Sequence, residues 1–316
     1  MAPLRWFDND EIRRLAPMSA VIDALRECFA HHLTHIARQG YAVAGGEFLV
    51  MPAVDATAAG IKLILIQPAN AGTDRPIIQG TYVLFDAALG CPIAVLDGAA
   101  LTNLRTPAIS AIATDVLARP DVVTLGIVGS GPQALGHVEA MRCVRPSLTE
   151  IVVASRTPAN AQAVVEQILA EPALAPTGSV RVGTYEQAAG CDVVCTATRS
   201  REPLINSAMV RPGTHLNAAG SYRTDMRELA TDLIATSTVY VDDIDAAHHE
   251  AGELALADAD PEDGWHWDRV AGDLAQLVSG QLTRRSREEI TLFKSVGLAV
   301  QDLAVARLVA ARDDLL

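Results

Sequence analysis

Residues 124–137, TLGIVGSGPQALGH, place a glycine-rich turn directly between an apolar strand and a helix. Here Gly129, Gly131 and Ala134 match the pattern G-x-G-x-x-A, whose glycines allow a tight turn and close backbone approach to a pyrophosphate. Free N–H groups and the positive dipole end of the following helix favour a bound phosphate. The motif predicts a dinucleotide site, and the alternative is a glycine turn without a ligand. The residues expected to contact the cofactor are Gly129, Ser130, Gly131, Pro132 and Gln133.

The end of the next predicted strand bears on the choice of dinucleotide. It is followed by Ser155, Arg156 and Thr157, about 20 residues after the motif, where NAD-selective domains carry an Asp or Glu. No carboxylate stands there, and two hydroxyls beside a guanidinium suit a 2′-phosphate. We therefore expect NADP(H) to be preferred, with NAD(H) as the alternative cofactor if Arg156 is only a solvated loop residue.

Periodicity divides the 316 residues into two predicted domains. Residues 119–287 alternate strand and helix, which predicts a Rossmann-type, doubly wound parallel sheet. Residues 1–118 begin with amphipathic helices over 9–37 and continue with strand-and-turn runs over 47–97, which predicts an α+β domain. A last helix over 288–312 is expected to pack back onto this first domain, and residues 288–316 are assigned to it.

Composition and charge exclude several classes of protein. The net charge of −13 argues against a nucleic-acid or anionic-membrane surface, because such surfaces need clustered positive charge. The N-terminal residues lack the apolar stretch of a signal peptide, so we expect a soluble cytoplasmic protein. The five scattered cysteines favour free thiols, and no metal-binding or nucleophile motif is found.

Lysine is rare in this chain: only Lys62 and Lys294 occur among the 25 basic residues. Lys62 interrupts the apolar run GIKLILI, where a lysine is costly unless it faces a cleft or an anion. Alternation places it on one strand face with Ile64 and Ile66. A desolvated lysine there could bind a substrate carboxylate or transfer a proton. The alternative is a lysine at a sheet edge whose ammonium reaches solvent.

Two arginines are candidates for the same pocket. Arg105, with Thr106 beside it, lies near the start of a helix predicted over residues 101–118, where a cation opposes the helix dipole unless an anion binds. Arg38 precedes the first predicted strand. Cations combined with a dinucleotide domain suggest a small anionic substrate such as an amino or imino acid, although a solvated Arg105 stays the alternative.

Six blocks, in order, resemble the ornithine cyclodeaminase/mu-crystallin family. They are MPA followed by GIKLILIQPAN, LFDAALGCPIAVLDGAALTNLRTPAISAIA, GIVGSGPQA, DVVCTATRSREPLI, HLNAAGSYRTDMREL and ITLFKSVGLAVQDLAVARL. The resemblance implies a homodimer in which the first domain binds substrate and forms the dimer contact, while the Rossmann domain binds the nicotinamide cofactor. Members of the family act at the Cα–N bond of amino acids: some cyclise ornithine to proline, and others reduce cyclic ketimines or oxidise alanine.

The resemblance also assigns roles to individual residues. Lys62 and Arg105 correspond to residues that bind the substrate carboxylate and handle protons, and Arg38 corresponds to a further carboxylate-binding arginine. The residues implied as cofactor neighbours are Thr106, Thr196, Thr198 and Ser295.

Two departures distinguish this chain within the family. Where ornithine-cyclising members carry a GGD-like sequence, this chain has residues 220–222, GSY, and neither hydroxyl is an acid-base group near neutral pH. Asp225 is the nearby carboxylate that could substitute, or else a surface or helix-capping aspartate. Residues 76–79, PIIQ, stand where relatives have Thr or His, which indicates a more apolar pocket wall.

Together these features favour an NAD(P)H-dependent, ketimine-reductase-like oxidoreductase. It would transfer a hydride between the nicotinamide and the imine carbon of a small imino acid, with a cyclic one favoured. Lys62 or Asp225 would supply the proton. The alternatives are a true ornithine cyclodeaminase with bound NAD, and a non-catalytic NADPH-binding protein like the crystallins.

Overall fold

The computed structural model describes residues 4–31, 36–260 and 264–316. The chain divides into two compact units, Met1–Arg105 with Leu298–Leu316, and Thr106–Gly297. The assignment of these units to substrate and dinucleotide stays a proposal.

Most strands of the first unit are long and antiparallel, whereas those of the second unit are short and parallel. The strands are β1 Arg5–Phe7, β2 Gln39–Val43, β3 Gly46–Val54, β4 Ala58–Ile66, β5 Ile78–Asp86, β6 Cys91–Asp97, β7 Thr124–Val128, β8 Glu150–Ala154, β9 Ser179–Val182, β10 Val193–Thr196, β11 His215–Ala218, β12 Thr238–Val241, β13 Val270–Asp273 and β14 Thr291–Lys294. The helices are α1 Asn9–Leu15, α2 Met18–Ala30, α3 Gly98–Leu117, α4 Gln133–Val144, α5 Pro158–Ala170, α6 Tyr185–Ala189, α7 Thr231–Thr236, α8 Ile244–Glu250, α9 Gly252–Asp258, α10 Leu274–Val278 and α11 Ala299–Arg312.

The first unit is a six-stranded sheet in the order β1-β6-β5-β4-β3-β2, antiparallel except for the parallel pair β1–β6. This confirms the predicted α+β unit. Helix α11 packs on α2 and on β3 and β4, and so covers one face of the sheet. Alternate residues of β4 are buried, from Ala58 through Lys62 to Ile66, as the side-chain period of two requires. Lys62 therefore shares the inner face with Ile64 and Ile66, as predicted.

The opposite face of this sheet carries apolar side chains that are half-buried or exposed. We call it the outer face, and it consists of Phe48, Val50, Pro52, Ile61, Leu63, Leu65, Val83, Phe85 and Val95. The strand register brings Pro52, Ile61 and Val83 into one row across three strands. Water would be in contact with a continuous apolar surface if nothing covered this face.

The second unit is an eight-stranded parallel sheet in the order β13-β12-β14-β11-β10-β7-β8-β9. From β9 to β11 this order follows the doubly wound pattern, and the direction of winding reverses between β7 and β10. Ligands of such folds bind beyond the carboxyl ends of the strands at that reversal. The predicted Rossmann-type sheet is confirmed.

The C-terminal segment differs from the sequence-based expectation. Residues 288–312, predicted as a single helix, contain β14 followed by α11. The run TLFK is buried between β11 and β12, and Gly297, at φ 84°, turns the chain into the helix. A short apolar run of this kind suits either a buried strand or a buried helix, and only its neighbours in the sheet decide between them.

Among the described residues, no helix combines the length and apolar character needed to cross a membrane.

Candidate active site

The centre of the candidate site is Lys62 on β4. Its Nζ donates to Asp302 Oδ2 of α11 at 2.6 Å and to Thr102 Oγ1 of α3 at 3.2 Å. Both side chains of the Lys62–Asp302 ion pair are 0% exposed. An unpaired buried ammonium would be very costly, so the carboxylate from α11 is what makes Lys62 tolerable in the core.

The pKa of Lys62 falls to about 8, mainly because burial removes the ammonium from water. The nearby charges of Arg105 and Arg38 lower it further, while Asp302 raises it. A lysine with this pKa is protonated at neutral pH yet can release its proton readily, as acid-base chemistry requires.

Arg105 lies in the middle of α3 and not near its start, because the helix begins at Gly98, where Asp97 caps the N–H groups of Ala99 and Ala100. The prediction that the charge of Arg105 opposes the helix dipole is therefore wrong. Its guanidinium instead reaches Gln301 Oε1 at 3.2 Å and lies 3.8 Å from Asp302 Oδ1.

Arg38 lies just before β2 and is half-buried. It is the third cation near Lys62, because its charge helps to lower the pKa of that lysine. Lys62, Arg105 and Arg38 thus bring three cationic groups to this part of the first unit, beside the carboxylate of Asp302. Guanidinium and ammonium groups can bind a small anion, such as a carboxylate.

The glycine turn has the geometry that a dinucleotide needs. Gly129 has φ 130°, a conformation that favours glycine, and its N–H donates to Ala154 of β8. A Cβ added at Gly131 would meet nothing within 4 Å, so the backbone there is open to a ligand. No side chain caps the N-terminus of α4 at Pro132 and Gln133. The turn therefore fits a pyrophosphate, whose oxygens would bind the free N–H groups.

The end of β8 carries the three residues expected near a 2′-phosphate. Ser155 Oγ accepts from Ser130 Oγ at 3.1 Å, which joins the glycine turn to this loop. It also donates to the carbonyl of Thr157 at 3.1 Å, while the side chain of Arg156 is exposed. An exposed guanidinium beside the turn is able to bind a phosphate without breaking an internal contact.

The four implied cofactor neighbours all lie in the second unit and are largely buried. Thr196 donates to Glu228, and the N–H of Thr198 donates to the same carboxylate. Ser295, after β14, donates its N–H to the carbonyl of Ala218. Thr106 is buried, and its hydroxyl has no hydrogen-bond partner within the described ranges.

The residues that distinguish this chain from ornithine-cyclising relatives have other partners. Ser221 is buried and donates its hydroxyl to Glu253. Asp225 is exposed and forms ion pairs with Arg201 and Arg223, at 3.1 Å each. In the PIIQ segment, Ile78 is 40% exposed on the same sheet face as Lys62. Asp225 therefore lies at the surface in ion pairs with two arginines.

Reasoning from the sequence missed four polar residues. Asp302 and Gln301 in the first unit, and Glu228 and Glu253 in the second, are all buried. A weak signal exists for Asp302, because it shares an apolar helix face with Val305, at i+3, and with further buried residues beyond it. A carboxylate on such a face needs a cationic partner, but the sequence does not name that partner.

No cluster of metal-binding side chains occurs among the residues that the structure covers, and the five cysteines are free thiols.

Nearly the whole of the chain is similar to one known protein family. The family described as "Ornithine cyclodeaminase/mu-crystallin family" matches residues 9–314. The Delta(1)-pyrroline-2-carboxylate reductase of Bacillus cereus is 35% identical over 308 residues, covering 94% of this chain and 93% of the relative.

Two solved structures show the same fold. The Thermococcus litoralis Delta(1)-pyrroline-2-carboxylate reductase in complex with NADH and L-proline is 28% identical, with a TM-score of 0.91 over 98% of this chain and 97% of that one. An archaeal alanine dehydrogenase dimer with bound NAD is 29% identical, with a TM-score of 0.90 over 98% and 95%. The full-length match and the shared fold place this chain in the ornithine cyclodeaminase/mu-crystallin family, on the branch that resembles ketimine reductases.

Proposed function

We propose that the protein is an NAD(P)H-dependent reductase that converts a small, cyclic imino acid into the corresponding amino acid. The observation that carries the proposal is the buried Lys62–Asp302 pair with Arg105 beside it. A relative of matching length is named for the reduction of pyrroline-2-carboxylate, a cyclic imine that bears a carboxylate.

Arg105 and Arg38 bind the carboxylate of the substrate. Their positive charges complement the negative charge of that group. Guanidinium groups bind carboxylates through paired, charge-assisted hydrogen bonds, which also orient the substrate. A substrate without the carboxylate would lose this orientation and with it most of the rate.

Lys62 supplies the proton. When the imine carbon gains a hydride, the C=N double bond becomes a single bond and the nitrogen takes up one proton to become an amine. The Lys62 ammonium, whose pKa is about 8, releases that proton and is reprotonated from solvent. Asp302 holds the ammonium in place and stabilises its charged form.

The cofactor is a nicotinamide dinucleotide, which supplies the hydride when bound. The turn from Gly129 to Gln133 would hold its pyrophosphate, and Thr106, Thr196, Thr198 and Ser295 would line the remainder of the site. Ser155, Arg156 and Thr157 favour NADP(H) over NAD(H), because they offer a cation and hydroxyls where an acidic residue would repel a 2′-phosphate.

Ornithine cyclisation is the second candidate activity, and the contacts of residues 220–222 disfavour it. Ser221 is engaged with Glu253, and the tyrosine that follows is not an acid-base group near neutral pH. A dinucleotide-binding protein without turnover is the third candidate.

The homodimer that the family resemblance implies would form through the outer face of the first unit. This face is apolar and at most half-buried, and pairing it with the same face of a second copy would remove it from water. An archaeal structural relative is a dimer.

The decisive experiment is a substrate panel followed by NADPH and NADH absorbance. The panel holds cyclic imines with five- and six-membered rings, 2-oxo acids with ammonia or methylamine, and ornithine. The proposal expects oxidation of NADPH with a cyclic imine. Proline and ammonia formed from ornithine without net NADH would overturn it in favour of cyclisation, and tight NADPH binding with no turnover would favour the third candidate.

A further inference from the structure

A buried ionic cluster lies in the Thr106–Gly297 unit and takes no part in the steps proposed above. It consists of Glu228, Glu253, Lys294 and Ser221, whose exposed fractions are 0%, 1%, 0% and 0%. Burying three charged groups is expensive unless each finds partners, so their contacts should explain why they are there.

Glu228 joins two chain segments that follow neighbouring strands. Its Oε1 accepts from the N–H of Thr198 at 2.6 Å, and its Oε2 accepts from the Thr196 hydroxyl at 2.7 Å and the N–H of Gly220 at 2.8 Å. Thr196 ends β10, and Gly220 follows β11. Three donors from two segments therefore converge on one carboxylate at the carboxyl edge of the sheet.

The other members of the cluster hold Glu228 and the second segment in place. Glu253 accepts from the N–H of Glu228 at 3.0 Å and from the Ser221 hydroxyl. Lys294 donates to the carbonyl of Ser221 at 2.6 Å and its hydroxyl at 2.8 Å, and lies 3.1 Å from Glu253 Oε2. Burial and the neighbouring Glu253 raise the pKa of Glu228, whereas Lys294 lowers it.

The segment held by Glu228 lies directly against the glycine turn. A Cβ added at Gly129 would come within 2.8 Å of the carbonyl oxygen of Ala197, which lies between Thr196 and Thr198. The second segment packs against the first, because a Cβ added at Gly220 would clash with the backbone of Thr198. A displacement of either segment would therefore be passed on to the residues that contact Gly129.

We propose that Glu228, held by Glu253 and Lys294, is a positioning residue for the dinucleotide site. Its carboxylate ties the segment after β11 to the segment after β10 and keeps the latter against the glycine turn, so that the site has its binding shape before the cofactor arrives. Binding then avoids the loss of affinity that ordering these segments would bring. This inference rests on the proposed function only in taking the ligand to be a nicotinamide dinucleotide.

The test compares Glu228→Gln with Asp192→Asn, a matched control at the amino ends of the strands of the same sheet. Asp192 Oδ2 accepts from the N–H of Val123, the N–H of Thr124 and the Thr124 hydroxyl, at 2.9, 3.0 and 2.9 Å. It thus receives the same kinds of donor before β7 and β10. Both substitutions replace an acceptor oxygen by an NH2 donor and lower the melting temperature, but only the one at Glu228 should affect cofactor binding.

Binding is measured by titrating NADPH fluorescence, and segment mobility by hydrogen–deuterium exchange of the ligand-free proteins. We expect Glu228→Gln to raise the NADPH Kd about tenfold or more, since a buried donor loses its acceptor. Exchange should also be faster around residues 198 and 220. Asp192→Asn should leave the Kd within about twofold of wild type. Equal Kd values for wild type and Glu228→Gln, or an equal rise in both variants, would overturn the inference.

A second variant covers the case in which Glu228→Gln does not fold. Ser221→Ala removes one hydroxyl between Glu253 and Lys294 and should raise the Kd in the same direction, and an unchanged Kd would overturn the inference. Failure of the proposed reductase activity can be distinguished from failure of this inference. Wild type would then bind NADPH but turn over no imine. The comparison of Kd values would still decide the role of Glu228. Wild type that binds neither dinucleotide would overturn both proposals.

Discussion

The Nζ atom of Lys62 lies 2.6 Å from Oδ2 of Asp302, although 240 residues separate the two in the chain. Neither side chain is exposed. The lysine comes from the middle of a sheet and the aspartate from the C-terminal helix, so α11 both completes the core of the first unit and sets the charge of its candidate acid. Stability and the proposed acid-base chemistry therefore depend on the same ion pair.

Asp302→Asn should shift the pH dependence of imine reduction. The negative charge of Asp302 raises the pKa of Lys62, so its removal should bring that pKa below about 8. Because Lys62 must be protonated to act as an acid, the alkaline decline of kcat/KM should move to lower pH. Asp55→Asn is the control, since Asp55 pairs with Arg307 at the surface of the same unit. An alkaline decline unchanged in Asp302→Asn would remove Lys62 from the mechanism.

Lys62→Met should destabilise the protein, because it leaves Asp302 buried without its ammonium, at a cost of about 3–5 kcal/mol. The double variant Lys62→Met/Asp302→Leu should regain most of this stability, because it also removes the carboxylate that Lys62→Met leaves without its ammonium. Denaturant unfolding measures both effects. The double variant should nevertheless lack imine turnover and retain NADPH binding; turnover comparable with wild type would show that Lys62 is not the proton donor.

Arg156→Ala should weaken NADPH binding about ten- to a hundredfold and leave NADH binding nearly unchanged. The reason is the loss of a charge-assisted hydrogen bond to the 2′-phosphate, which NADH lacks. Separate Kd measurements for the two dinucleotides test this, with Arg211→Ala as an exposed-arginine control elsewhere in the unit. Equal losses for both dinucleotides would argue against a 2′-phosphate site.

Two buried histidines should make the second unit sensitive to mild acid. Burial lowers the pKa of His137 to about 4 and that of His215 to about 3. Below a pH of about 6.5 the unfolded chain takes up protons that the folded chain does not, so stability falls as the pH falls from about 6.5 towards these values. The expected slope is about 1.4 kcal/mol per pH unit for each histidine.

Urea unfolding between pH 7 and pH 5 measures this slope. In His215→Gln the free energy of unfolding should fall less steeply with falling pH than in wild type. The control is His266→Gln, at an exposed side chain, which should show the same slope as wild type. A slope identical in all three proteins would contradict the assignment of neutral, buried imidazoles.

Leu63→Glu should convert the proposed dimer into monomers, because it places a charge in the middle of the outer face. The control is Leu169→Glu, since Leu169 is 57% exposed on α5 in the other unit. Sedimentation velocity distinguishes the two states. A wild-type monomer, or a Leu63→Glu dimer as stable as the wild type, would show that the outer face is not the interface.

Much of the fold was predictable because its signals are local. The strand, glycine turn and helix around Gly129 follow from residue types that act within a few positions of one another, and so do the alternating strands around Lys62. Residues 288–312 were misassigned because the apolar run TLFK suits a helix or a strand equally well. Its place between β11 and β12 depends on hydrogen bonds to residues far away in the chain.

The sequence by itself determined the two kinds of sheet, the glycine turn and the family, and it singled out Lys62 as a candidate, since each depends on local pattern or on residue identity. Only the tertiary structure decided which charges meet. Asp302 acquires its partner, and Glu228 its three donors, from segments that the fold brings together. Electrostatic energies in a buried site depend on distances of a few ångströms, and a linear sequence does not contain those distances.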